Sequence, residues 1–142
     1  MLVLDCCAAI EVVRHTDTGN WMQPELLKAD KIISSSLFPA EVSNALRGCV
    51  RAGVLDVERA RECAEIAISL VDEYVDTQEN AFEALAESIR LEHPAYDLFY
   101  FTLARRNACP LVTADAKLAR ICARNGVSCI FFGNTQVPLE NR

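Results

Sequence analysis

Four acidic residues stand in sequence that is otherwise apolar: Asp5 in LVLDCCAAI, Glu41 in LFPAEVSNAL, Asp97 in AYDLFYFTLA and Asp115 in LVTADAKLA. Each is read at the start of a helix, where an acid is ordinarily a cap that accepts backbone N–H groups or complements the peptide dipole. A solvated capping acid has no need of apolar residues on both sides. Carboxylates held at an apolar sheet edge tend to need a cation, because unpaired buried charge is costly. No matching set of four Lys or Arg residues occurs in a similar context. A hard divalent ion with oxygen ligands is the simplest partner for such a set.

The elements that must position these acids alternate short apolar runs with longer helical patterns, which predicts an α/β fold with a parallel sheet covered by helices. Met1–Leu4 reads as a buried strand ending at Asp5, followed by a helix over 6–14 and a second over 17–29 with Trp21, Leu26 and Leu27 facing inward. Lys31–Ser34 is a weak strand. Pro39 suits a first helical turn; Val42, Ala45, Leu46, Cys49 and Val50 follow at helical spacing until Gly53. Val57, Ala60, Ala64, Ala67, Ile68 and Val71 repeat that pattern over 57–72. Tyr74–Val75 is a short strand, 79–91 and 96–107 are helices, Leu111–Thr113 a strand, 115–124 a helix and Cys129–Phe132 the last strand. Asp5 and Asp115 thus follow strand ends, where open α/β sheets bind their ligands.

Length and composition narrow the class. The 142 residues fit one domain, read here as 1–132 with a loose tail over 133–142, and a chain of this size buries about 68–70% of its unfolded surface. Hydrophobic residues at 51% and charged residues at 24% give a soluble globular balance. No apolar run approaches the roughly 18 residues needed to span a bilayer. The N-terminal MLVLDCC has no basic segment and puts an acid at position 5, so no secretory signal and no membrane partner are expected. Seven cysteines occur, an odd number with no CxxC pair. That excludes a paired-cysteine zinc site and points to buried free thiols in a reducing cytoplasm. The net charge of −6 argues against a non-specific nucleic-acid coat protein. It does not exclude a nuclease, whose bound cations invert the local sign.

The order of an Asp after an N-terminal strand, the Glu of PAEVSNAL, the Asp of AYDLFYFTLA and the Asp of LVTADAKL resembles the PIN-domain family, and within it the VapC-type toxin ribonucleases of toxin–antitoxin pairs. The likeness covers about residues 1–132. It implies a parallel sheet of about five strands in the order 3-2-1-4-5, one or two Mg²⁺ or Mn²⁺ ions, an RNA substrate, a cognate antitoxin and a homodimer. Carried over by position, Asp5, Glu41, Asp97 and Asp115 become the metal and catalytic set, with Thr113 and Asn44 in support. One departure stands out. Where the family usually has Ser, Thr or Asn two residues after the first Asp, this chain has Cys7, and a thiol is a poorer hydrogen-bond partner.

On that resemblance, Asp5, Asp97 and Asp115 are direct or water-mediated ligands, and Glu41 is either a ligand or the residue that orients the attacking water. Arg14, Arg47, Arg51 and Lys117 lie on neighbouring helices, within reach of RNA phosphates or simply on solvated faces. His15, His93, Trp21 and the Phe99/Tyr100/Phe101 cluster are read as structural, and Cys6–Cys7 as inert thiols. Three rival readings compete with this one. A phospho-receiver would pair adjacent acids near the first strand and carry a strand-end Lys, and this chain does neither. A non-catalytic metal- or RNA-binding PIN module would have no need of all four acids. An RNA-processing nuclease outside a toxin–antitoxin pair is open to the same residues.

Overall fold

Five short strands alternate with seven helices over the residues that the computed structural model describes, 1–132. In chain order they are β1 (Leu2–Leu4), α1 (Cys6–Val13), α2 (Asp17–Lys28), β2 (Ile32–Ser35), α3 (Phe38–Arg51), α4 (Val57–Ser69), β3 (Glu73–Val75), α5 (Ala81–Leu91), α6 (Ala95–Asn107), β4 (Leu111–Thr113), α7 (Ala116–Arg124) and β5 (Cys129–Phe131), with one 3-10 turn at Thr77–Glu79 before α5. The tail read over 133–142 lies outside the described residues. No described helix is long and apolar enough to cross a membrane.

All five strands pair in parallel in the order β3-β2-β1-β4-β5. The register sets Val3 beside both Ile33 and Leu111, and Leu4 beside Val112. The three inner strands β2, β1 and β4 are buried along their whole length, β1 as an unbroken apolar run and β2 and β4 ending in hydroxyl residues, whereas the edge strands β3 and β5 are only partly covered. Helix α1 packs on α2, α3 and α4, and α6 packs on α5 and α7. The chain leaves β1 towards β2 and leaves β4 towards β5, in opposite directions across the sheet. The carboxyl ends of β1 and β4 therefore flank a topological switch point, where an open sheet leaves a crevice.

The face that α2 buries differs from the expected one. Gly19, Met22 and Leu26 point inward, while Trp21 and Leu27 are 57% and 78% exposed. The cause is close approach: a Cβ on Gly19 would lie 1.9 Å from the Glu11 carbonyl oxygen of α1. The helix must turn its glycine edge to α1, and Trp21, two positions away, faces elsewhere. A similar rotation moves α4, whose buried face is Cys63 and Ala67, leaving Val57 and Ile68 at the surface.

Candidate functional site

Asp5 and Asp115 are both placed by the turn that follows an inner strand. Asp5 is the extended residue between β1 and α1; its backbone N–H donates to Val112 of β4 at 3.2 Å, and its Oδ1 accepts the Ala8 N–H at 2.9 Å. Asp115 caps α7 by accepting the Lys117 N–H on Oδ1 at 2.8 Å. The turn before it is fixed by Thr113, fully buried, whose hydroxyl accepts the Asp115 N–H at 3.0 Å. The two acids are therefore caps, as their positions in sequence suggest, and also neighbours across the switch point.

Glu41 and Asp97 reach the same place from helices. Glu41 is in the first turn of α3 behind Pro39, and the hydroxyl of Tyr100 on α6 donates to its Oε1. Asp97 is in the first turn of α6, 2.7 Å from His93 Nε2 through Oδ2. An ionised carboxylate only accepts, so that nitrogen carries the hydrogen. His93 is held in turn: α5 ends in a left-handed Glu92, and Ser88 donates its hydroxyl to the His93 carbonyl at 2.6 Å.

All four acids, with Asn44, line one cavity of about 650 Å³, and no Lys or Arg lines it. Thr113 sits beneath, in contact with Cys7 at 3.4 Å. Burial dominates the electrostatics. It pushes the Asp5 carboxyl up to about 7, partly offset by hydrogen bonds from Thr113, Ala8 and Cys7 and reinforced by the Asp97 charge. Glu41 is raised by burial too, against the lowering effect of the Tyr100 hydrogen bond, with Asp97 adding to the rise. Tyr100 is 1% exposed, and burial beside Glu41 holds its hydroxyl protonated as a donor. Burial and the nearby acids likewise raise Cys6 to about 12 and keep the Cys7 thiol protonated, the inert state expected.

The chain matches the family model described as PIN domain over residues 2–124. It belongs to the PIN domain family. Among solved structures, the PIN chain is similar to PAE2754 from Pyrobaculum aerophilum at 22% identity and TM-score 0.68, with 83% of each chain covered. It is also similar to VapBC2 from Rickettsia felis, solved bound to a DNA fragment from its promoter, at 18% identity and TM-score 0.64 over 92% of this chain and 97% of that one. At these identities the likeness speaks for the fold. No curated protein sequence matches the chain.

The donor set of this PIN domain suits a hard divalent cation. Its carboxylates are partly or fully buried with no cationic side chain from Lys or Arg among them. Yet among the described residues no three His, Cys, Asp or Glu side chains stand close enough to hold a single ion. Like charges repel across such a cavity, and ions of this class keep several waters that bridge wider spacings. Sequence reading missed three contributors. His93 and the Tyr100 hydroxyl read as structural in the sequence, and Glu11, bonded by the Thr16 hydroxyl, also lines the cavity. The four-residue spacing of His93 and Asp97 was the available signal for the first. Cys7 fills the departure position with contacts to both Asp5 oxygens, at 3.2 and 3.3 Å, and accepts the Ala114 N–H at 3.3 Å.

Proposed function

We propose that the protein is a Mg²⁺- or Mn²⁺-dependent endoribonuclease, the toxin of a type II toxin–antitoxin pair, with Asp5, Glu41, Asp97 and Asp115 as its metal set. One observation carries the reading: four acids from four separate segments line one cavity without a Lys or Arg to neutralise them. When bound, the divalent ion supplies charge neutralisation for a phosphodiester in its transition state and acidifies water at neutral pH.

The side chains do the rest. Asp5, Asp97 and Asp115 present oxygens at the cavity wall, each steadied on the other oxygen by an N–H. Glu41, steadied by Tyr100, offers Oε2 either as a ligand or as the acceptor that orients the attacking water. Asn44 and Thr113 support the site by lining it and by holding the β4 turn. The likeness to VapBC2, a complex solved on promoter DNA, supports a cognate antitoxin that covers the cavity, most simply with an Arg side chain. A homodimer belongs to the same reading. Val42 and Leu46 of α3 are buried within this chain, and the apolar residues left exposed to form its surface include Val57 and Ile66 of α4 and Phe82, Leu85 and Ile89 of α5.

The test is RNA cleavage in Mg²⁺ or Mn²⁺, abolished by EDTA and by Asp97→Asn, which keeps shape and removes charge. Cutting by Asp97→Asn at the wild-type rate would remove Asp97 from the set. A solution mass showing only monomer at high concentration would remove the dimer, and failure to recover a co-expressed operon partner would remove the antitoxin.

A further inference from the structure

We propose that the outward face of α7, carrying Lys117, Arg120 and Arg124, is a track for the phosphate backbone of the RNA strand; this rests on the nuclease reading above. Acidic residues are unevenly distributed. Eighteen of the 20 lie within residues 1–97, and between Asp97 and Glu140 the only acid is Asp115, against five Lys and Arg. Two of those five are engaged: Arg105 pairs with Glu83 and Glu87, and Arg106 with Glu83. The cations of α4 and α5 are engaged too, Arg59 with Glu62, Arg61 with Glu65 and Arg90 with Glu87. Lys117, Arg120 and Arg124 form no ion pair among the described residues.

The helix sets these three on one side. Successive residues turn by about 100°, which puts positions 117, 120 and 124 within an arc of about 60° over a length of about 10 Å. Leu118 and Cys122, both fully buried, occupy the opposite side against the sheet, so the cations point to solvent. Lys117 is two residues from Asp115, the cap that lines the acid cavity, and the row descends from there along α7.

Arg124 in the last turn complements the peptide dipole, but Lys117 and the spacing of the row work against the helix. Like charges three and four apart repel, and a lysine in the first turn opposes the peptide dipole. Nor does it serve solubility in a chain that already carries −6. A polyanion of regularly spaced phosphates resolves both, and Arg matches phosphate through paired N–H groups. It would also offset the repulsion that the acid cavity exerts on RNA, because the strand gains its electrostatic attraction beside the cavity rather than in it.

The experiment compares the wild-type chain with the Lys117→Gln/Arg120→Gln/Arg124→Gln triple variant. Binding of a fluorescein-labelled oligouridylate is followed by anisotropy in EDTA, where cutting is blocked, across a range of salt. The triple variant should raise Kd on the order of 10- to 100-fold at low salt and flatten the slope of log K against log salt by about 2, since each single-strand phosphate contact contributes roughly 0.7. Arg59→Gln/Arg61→Gln on α4 should leave both unchanged. Melting of the triple variant checks its fold; should it melt early, Lys117→Gln/Arg124→Gln is used, with an expected slope change of about 1.4. Unchanged Kd and slope overturn the proposal, as does loss of a co-expressed protein partner with RNA affinity intact. Absence of cleavage by wild type in Mg²⁺ and Mn²⁺ would instead sink the nuclease reading, and the two failures are read from separate measurements.

Discussion

The acids of the cavity fall into two pairs that are held in different ways. Asp5 and Asp115 are held by backbone: each follows an inner strand, and each fixes an oxygen on a helix N–H, from Ala8 and Lys117. Glu41 and Asp97 are held by side chains on helices, Tyr100 and His93. A backbone cap is set by chain direction and survives most substitutions around it. A side-chain donor can be removed by one mutation without moving the backbone. The first pair should therefore be sensitive chiefly to changes in the acids themselves, with only a small effect from the weak Cys7 donor beside Asp5, and the second pair also to changes in their donors.

The largest expected effect ignores that distinction. Asp5→Asn and Asp97→Asn each keep an oxygen and lose a charge, and each should lower RNA cleavage by on the order of 10³-fold, since a bound ion contributes several kcal/mol to the transition state. In melting experiments, Mg²⁺ at 100 times its Kd should stabilise the wild type by about 2.7 kcal/mol and these variants by less. Equal Mg²⁺-induced shifts in all three proteins would mean that the acids do not share a site.

The next effect separates the pairs. Tyr100→Phe removes only the hydroxyl that donates to Glu41, and His93→Gln keeps length but alters the donor to Asp97. Each should weaken Mn²⁺ affinity about tenfold, measured by calorimetry, in line with the loss of an outer partner of a metal ligand. His93→Asn and His93→Gln differ in reach, and if one restores affinity the role is hydrogen bonding rather than packing. Ala8→Ser and Lys117→Ala leave the backbone N–H groups in place and should leave metal affinity within about twofold. If they weaken it as much as Tyr100→Phe does, the contrast between the pairs is wrong.

A smaller effect concerns protons. Asp5 is pushed up to about 7 by burial, from 3.8 when unfolded. Between those values the folded chain holds a proton that the unfolded chain has released. Stability in EDTA should therefore be greatest near pH 4 and fall as pH rises to about 7, by an amount on the order of a few kcal/mol. Asp5→Asn has no proton to lose and keeps the cap, so its stability should be nearly flat over the same range and exceed that of wild type at pH 8. A wild-type curve that rises between pH 5 and 7 would place Asp5 in a polar, solvated setting instead.

The same contrast explains what the sequence made legible. The strand order that the resemblance implies, the two caps and the five strands and seven helices are close to their expected positions, because β1 and β4 are short apolar runs closely followed by an acid; the 3-10 turn at Thr77–Glu79 was not expected. Rotation of helices was not legible. Trp21 and Leu27 are apolar and at plausible spacing, yet the contact of Gly19 with the Glu11 carbonyl turned α2 away from them, and contacts between helices are not written in either helix alone. The donors of Glu41 and Asp97 were hidden for a related reason. Tyr100 packs as the apolar cluster suggests, with its ring fully buried, and only the position of Glu41 on another helix, 59 residues away, gives its hydroxyl a role.

The smallest expected effect tests Cys7, the thiol two residues after Asp5. The thiol lies 3.2 and 3.3 Å from the two Asp5 oxygens, accepts the Ala114 N–H and stays protonated, so it serves Asp5 as a weak donor. A hydroxyl there would donate a stronger hydrogen bond to the ionised carboxylate than sulfur does. It is also smaller, so the gain is partly offset by looser contact with Thr113 and Ala114. Cys7→Ser should accordingly favour the charged form of Asp5 and lower its pKa by less than about one unit, because one neutral hydrogen bond contributes about 1 kcal/mol. The readout is the pH at which stability in EDTA stops falling, which should move down in Cys7→Ser, together with a rise of a few-fold in metal affinity near neutral pH. The direction separates two roles for the sulfur. A downward move with tighter metal binding means that Cys7 is a weak copy of a hydroxyl donor to Asp5. An upward move, or weaker metal binding, means that the larger sulfur holds the β4 turn in place, and that Asp5 depends on packing around Ala114 as well as on its own cap.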